Sequence, residues 1–347
     1  MKNIYIKAVS HISNQEPFDE KWFDNPIFHN KNYIRSIEPD YKQFFSPIEA
    51  RRMGIILKRA IATTIDITKK SGISNPDAII TGTGLGCIEN TEKFLTSLIS
   101  NDEEMLTPTY FMQSTHNTIG SQIAIFLKCN GYNSTYSHRG TSFDSALFDA
   151  FLQFQLGDIK TALVCSHDEL TQDYFNMLGK IGYWKSGEIS TEILRNANTS
   201  GTFAGEASVA FMLTEDTDNQ YVAKISNMQF ATEAKLEKLL EQTDINLEDI
   251  DAVVCGISGD IDNDRIYKDF HSKYFQQKPL IWYKHIFGES YSASGLGLYV
   301  AATILQKQQI PEHLKYYNKI TEKHSYKKVL FYNHFKRKEH CLVLLEK

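Results

Sequence analysis

Residues 135–158 read TYSHRGTSFDSALFDAFLQFQLGD, a short extended run that turns at Gly140 and enters a long amphipathic helix. Apolar residues recur at Phe143, Ala146, Leu147, Ala150, Phe151 and Phe154, the spacing of one buried helical face. A strand, turn and helix in this order form an elbow. The turn residue of such an elbow is aimed into a pocket and sits at the helix N-terminus, where backbone N–H groups stabilise a developing anion. The turn here offers Arg139, Gly140 and Thr141, none of which is a strong nucleophile. Ser142 and Asp144, at the helix start, read as capping residues.

Outward from the elbow, extended runs alternate with helical patterns. NIYIKAVS, DAIITGTGLG, TALVCSHDE and SVAFMLTE are the strands of a first α/β half over residues 1–215. A shorter set repeats the layout over residues 216–347: YVAKISNMQF, IDAVVCGIS, KKVLFYNHF and HCLVLLEK, with helices between. The polar turn Asp216-Thr217-Asp218-Asn219 reads as the boundary.

Composition narrows the function. The 347 residues are 42% hydrophobic and 23% charged with a net charge of −5, as expected of a folded globular protein. Basic residues are scattered apart from Lys336-Arg337-Lys338, so nucleic acid is not an expected partner. No stretch approaches the roughly 20 apolar residues of a membrane span, and the start alternates like a strand, which suggests the cytoplasm. Five widely spaced cysteines form no C-x-x-C pair and are expected to be reduced; no metal and no cofactor is expected. Cys165 and Cys255, at the ends of β-branched runs, read as packing residues.

Five segments taken together resemble the β-ketoacyl synthase family. Counted back from Gly157, the family's nucleophilic Cys falls on Gly140, and GTFAGEASVAFML is similar to the Gly-Glu-Gly-Ala turn of that family at Gly205-Glu206. CGISGDIDND looks like the Ala-His-Gly-Thr-Gly-Thr segment, which puts the first catalytic His on Gly256 and the family's Asp on Asp264. In KHIFGESYSASG, Lys284 keeps the family's Lys, while Glu289 stands at the second catalytic His. VLFYNHFKRKEHCLVL resembles the Gly-Phe-Gly-Gly gating loop, of which Phe335 survives. The resemblance implies a thiolase-like αβαβα five-layer fold made of two pseudo-symmetric halves, usually dimerised.

Claisen condensation needs a thiolate to hold the acyl chain and two imidazoles to assist decarboxylation and stabilise the enolate. Gly140, Gly256 and Glu289 supply none of these. The chain thus resembles the chain-length-factor subunits of bacterial polyketide and aryl polyene systems, which keep the fold, lack the Cys and pair with an active ketosynthase. That resemblance implies a heterodimer with a Cys-containing ketosynthase and an acyl carrier protein acting directly or through the partner. It also implies a pairing surface in residues 110–140, including Ile123, and a chain-length gate for which Phe111 and Met112 are the candidates. Two alternatives stay open: an acyltransferase with displaced catalytic residues, and a scaffold or homodimer with no role in chain length. A Ser/His/Asp hydrolase built from Ser137, His138, Ser142, His167 and Asp168 is less favoured, because adjacent strand residues face opposite ways. His116 reads as a polar core or interface residue.

Overall fold

The structure is a computed structural model that describes residues 2–216, 220–232, 236–241, 243, 245–317, 325–336 and 338–347. Thr217, Asp218 and Asn219 of the expected boundary turn, and Arg337 of the basic run, lie outside the described residues. The described residues form ten strands: β1 (Ile4–Ile12), β2 (Ala78–Gly82), β3 (Tyr132–Tyr136), β4 (Thr161–Asp168), β5 (Ala207–Thr214), β6 (Ala223–Thr232), β7 (Ala252–Cys255), β8 (Leu280–Trp282), β9 (Lys328–Phe335) and β10 (Glu339–Glu346).

They join in the order β3-β2-β4-β5-β1-β6-β10-β9-β7-β8. Read outward from the β1–β6 seam, each half has the same plan. β2 runs parallel to β3 and β4, and β5 antiparallel to β4 and β1. Likewise β7 runs parallel to β8 and β9, and β10 antiparallel to β9 and β6. The pseudo-symmetry implied by the resemblance is present strand for strand.

Both faces of the sheet are buried, which follows from strands that are apolar at successive positions. Side chains alternate across a strand, so Ile80 and Val164 join the central core, whereas Ile79, Leu163 and Cys165 join an outer core under the helix Ile55–Ser71. In the second half Val254 and Phe331 face the centre, and Val253 and Leu330 face a second outer core. The central layer contains the helices Ser142–Leu156 and Ala293–Lys307, which touch each other and the strands of both halves. Phe143, Ala146, Leu147, Ala150, Phe151 and Phe154 are all buried there, as the periodicity predicts. This helix stops at Gly157, whose φ of 84° admits the left-handed turn that returns the N–H of Asp158 to the carbonyl of Gln153.

Two expectations change. Asp144 is no cap: it is fully buried and accepts a hydrogen bond from Asn333 Nδ2 at 2.5 Å. Ile123 is no surface residue: it is fully buried in the chain's own outer core, while Ile125 and Phe126 of the same helix, Thr118–Leu127, are exposed. All five cysteines are buried and free. Among the described residues no helix is long and apolar enough to cross a membrane.

Candidate functional site

The elbow forms as the sequence predicts. After β3 the chain makes one tight turn, Arg139–Thr141, with Arg139 at φ 52°, and enters the helix at Ser142. Gly140 lies in a cavity of about 70 Å³, which Gly256, Lys284, Glu289 and Phe335 also line. These five come from the ends of β3, β7, β8 and β9, the C-terminal edge of the parallel strands where open α/β sheets place their ligand sites.

No side chain can stand at Gly140 in this arrangement. A Cβ built there would lie 2.4 Å from Cδ2 of Phe335 and 3.1 Å from Cε2 and Cγ. Carbon atoms in contact sit about 3.5–4.0 Å apart, so the ring occupies the space a nucleophile would need. Phe335 is steadied by an edge contact with Tyr291, with ring centroids 6.3 Å apart. Gly256 is crowded in the same way, since its Cβ would meet the Tyr267 hydroxyl at 2.7 Å and Lys284 Nζ at 3.2 Å.

Two charged groups of the cavity wall pair with each other. Lys284 Nζ meets Glu289 Oε2 at 2.6 Å. Burial raises the pKa of the Glu289 carboxyl, and the Lys284 ammonium opposes that rise. Asp264 does not line the cavity; it accepts from the backbone N–H groups of Ser258 at 2.9 Å and Gly259 at 2.8 Å. It thereby holds the loop that follows Gly256. Burial lifts its pKa to about 6, and these two hydrogen bonds act against that.

A polar network that the sequence did not suggest runs through the cavity wall to the buried Asp144. Asn333 Nδ2 donates to Asp144 and to the Gly140 carbonyl, and the Tyr267 hydroxyl donates to Asn333 Oδ1 at 3.3 Å. The N–H of His334 in turn donates to the Tyr267 hydroxyl at 3.1 Å. Burial pushes the Asp144 carboxyl up to about 7, against the hydrogen bond from Asn333. Two sequence signals were available. Asn333 interrupts an apolar strand at an inward position, and Tyr267 lies one helical turn beyond Asp264, on the same face.

The site holds no thiol, since none of the five cysteines lines the cavity. Its volume is well below the roughly 300–1,000 Å³ of small-molecule pockets. A Ser/His/Asp relay does not assemble. Ser137 and His138 lie beyond β3 and are exposed, and Ser142 Oγ donates to the Arg139 carbonyl at 2.6 Å. His167 is buried with neither ring nitrogen hydrogen-bonded among the described residues, while Asp168 accepts from Thr83 Oγ1 and from the N–H groups of Gly84 and Leu85. His116 is exposed rather than in the core. Phe111 and Met112, on the short helix Pro108–Met112, lie outside the cavity and are 59% and 71% exposed, so they are not core in this chain. Met112 lines a separate surface hollow of about 330 Å³.

The sequence matches the family model described as beta-ketoacyl synthase, N-terminal domain, over residues 21–239. No protein of curated function matches it in sequence. Solved structures match over the whole chain. The ishigamide ketosynthase/chain length factor has a TM-score of 0.80 at 13% identity, with 100% of this chain and 99% of that chain covered. A beta-ketoacyl synthase from Burkholderia phymatum has a TM-score of 0.80 at 12% identity, with 100% of each chain covered. The ketosynthase ApeO in complex with its chain length factor ApeC, from Xenorhabdus doucetiae, has a TM-score of 0.79 at 13% identity, with 99% and 98% covered. At these identities the likeness is one of fold.

Proposed function

Since the chain belongs to the β-ketoacyl synthase family, we propose that it is a non-catalytic, chain-length-factor-like subunit that pairs with an active, Cys-containing ketosynthase. Its setting would be bacterial polyketide, aryl polyene-type or fatty-acid-like synthesis on an acyl carrier protein, in the cytoplasm. One observation carries the reading: Gly140 offers no nucleophile, and the Phe335 ring fills the place where one would stand. Gly256 and Glu289 point the same way, because the family's imidazole donors are absent from both positions and a carboxylate occupies one.

A surface for a partner is available. β3 is an edge strand with one side unpaired, and Tyr132 on it is exposed, as are Ile125 and Phe126 on the helix before it. An open edge flanked by large apolar side chains invites pairing with a second chain. Phe111 and Met112 lie in the same stretch of chain and are our candidates for the residues that limit product length. We also take residues 1–215 and 216–347 as the two halves, on the repeated strand plan.

The test is co-expression with a Cys-containing ketosynthase, followed by reconstitution with acyl carrier protein and malonyl units. A heterodimer whose product length depends on this chain supports the proposal. A stable acyl adduct on this chain by intact mass would instead support an acyltransferase with displaced residues. A homodimer that leaves product length unchanged would support a scaffold.

A further inference from the structure

The basic run Lys336-Arg337-Lys338 falls at the turn between β9 and β10. The N–H of Lys338 donates to the Phe335 carbonyl at 3.2 Å and closes that turn, so Lys336 and Lys338 leave it together. Phe335 crowds Gly140, which brings their chain neighbours Lys336 and Arg139 to one rim of the small cavity at the elbow. Lys336 lines that cavity, and Arg139 is within electrostatic reach of Tyr291, which lines it too. Arg139, Lys336 and Lys338 are exposed, and none forms an ion pair among the described residues. Of the carboxylates in contact here, Glu289 is taken up by Lys284, and Glu339 accepts from Thr141 Oγ1 at 2.8 Å. The rim is therefore positive on a chain whose net charge is −5.

The backbone gives a second, independent observation. Arg139 has φ 52° and Lys336 φ 49°, both in the left-handed region. There the Cβ is pressed against the following carbonyl, and Gly or Asn is accommodated at less cost than Arg or Lys. Local conformation thus argues against a cation at either position, and charge accounts for the residue type at both. Strained positions gather where side chains are needed for contact.

The cavity behind the rim, of about 70 Å³, is too small for an organic ligand, so what the cations meet lies outside it. Nucleic acids and membranes are extended anions that would also meet the rest of this acidic surface. A short acidic segment matches a patch of this size. We propose that the rim docks an acidic segment of a partner protein, whose carboxylates reach Arg139, Lys336 and Lys338 as the segment passes over the closed cavity. The site does not use the open edge of β3 or Phe126 and is independent of the pairing role proposed above.

Fluorescence anisotropy on the full chain tests it, with a labelled decaglutamate peptide as the probe and decalysine, oligothymidylate and phosphatidylserine vesicles as comparisons. Decaglutamate should bind with a Kd below about 1 mM at low salt and at least tenfold more weakly at physiological ionic strength, where exposed charges are screened over about 8 Å. Arg139→Asn and Lys336→Asn remove charge yet suit the left-handed backbone. Together they should weaken binding tenfold or more, with a melting temperature no lower than that of wild type. Lys69→Glu, at an exposed position of the helix Ile55–Ser71, should leave binding within twofold of wild type. The proposal is overturned if decaglutamate does not bind at low salt, or if oligothymidylate or vesicles bind more tightly than the peptide. It is equally overturned if the double variant keeps wild-type affinity, or if it melts lower, which would assign these residues to the conformation of the turn.

Discussion

Adding one carbon at Gly140 should cost stability only while Phe335 is present. The Cβ of Gly140→Ala would stand 2.4 Å from Cδ2 of Phe335, more than 1 Å inside the roughly 3.5–4.0 Å of ordinary carbon contact. Either the ring leaves its position against Tyr291 or the elbow shifts against the central helix. Overpacking of this kind costs about 1–3 kcal/mol. In a Phe335→Ala background the space is empty, and the same substitution should be close to neutral. The double-mutant cycle should therefore return a coupling of about 1–3 kcal/mol between positions 195 residues apart in the chain. Urea denaturation of the four proteins measures it through their midpoints at constant slope. Gly140→Cys gives a chemical readout of the same contact: its thiol should react slowly with a disulfide reagent, and much faster once Phe335 is Ala. Neither cysteine variant should condense malonyl units, because Gly256 and Glu289 still lack the imidazoles and residues that act as a unit fail together. Equal destabilisation by Gly140→Ala in both backgrounds would refute the reasoning, and so would malonyl-dependent product from Gly140→Cys alone.

Three further outcomes are expected. Asp144, held at about 7 by burial, binds its proton more tightly in the folded chain than in the unfolded one, so its contribution to stability falls as pH rises from about 4 through 7. Asp144→Asn should remove that fall, and its unfolding free energy from urea titration should gain on wild type by up to about 1.4 kcal/mol per pH unit across the window, with a constant difference counting against the assignment. At the pairing surface, Phe126→Asp should fold normally and lose the ketosynthase, whereas Ile123→Asp should fail to fold because its side chain is fully buried in the chain's own core; size-exclusion chromatography and circular dichroism separate the two. Met112→Ala should change stability by less than about 0.5 kcal/mol, since its side chain is exposed, and Phe111→Ala should cost about 0.5–1.5 kcal/mol, since it loses the ring contact with Phe94. In the reconstituted heterodimer each should lengthen the product, and an unaltered length distribution from an intact complex would remove them as the gate.

What was legible in the sequence is local or periodic. The stripe on Phe143 through Phe154 specifies a helix with one buried face, and Gly157 specifies where it ends; both follow from neighbours along the chain. The β-branched runs specify strands buried on both faces, and their order with the intervening helices is enough for two α/β halves. The short strands β3 and β8 carry weaker signals: β3 is YNSTY, polar because it lies at the sheet edge, and β8 is only Leu280–Trp282.

What the tertiary structure alone decided concerns atoms brought together from distant positions. Thr118–Leu127 ends in the unbroken apolar run Ile123-Ala124-Ile125-Phe126-Leu127, so periodicity carries no phase there, and only packing assigns Ile123 inward and Phe126 outward. Asp144 in the first turn of a helix has the sequence signature of a cap; it became a buried acceptor because β9 places Asn333 directly against it. At the elbow, the sequence shows that Gly140 lacks a nucleophile but not whether the space remains open. That depends on where β9 ends relative to β3 and on the direction of one ring, because a contact between residues 195 apart is set by the stacking of whole layers and by no interaction along the chain.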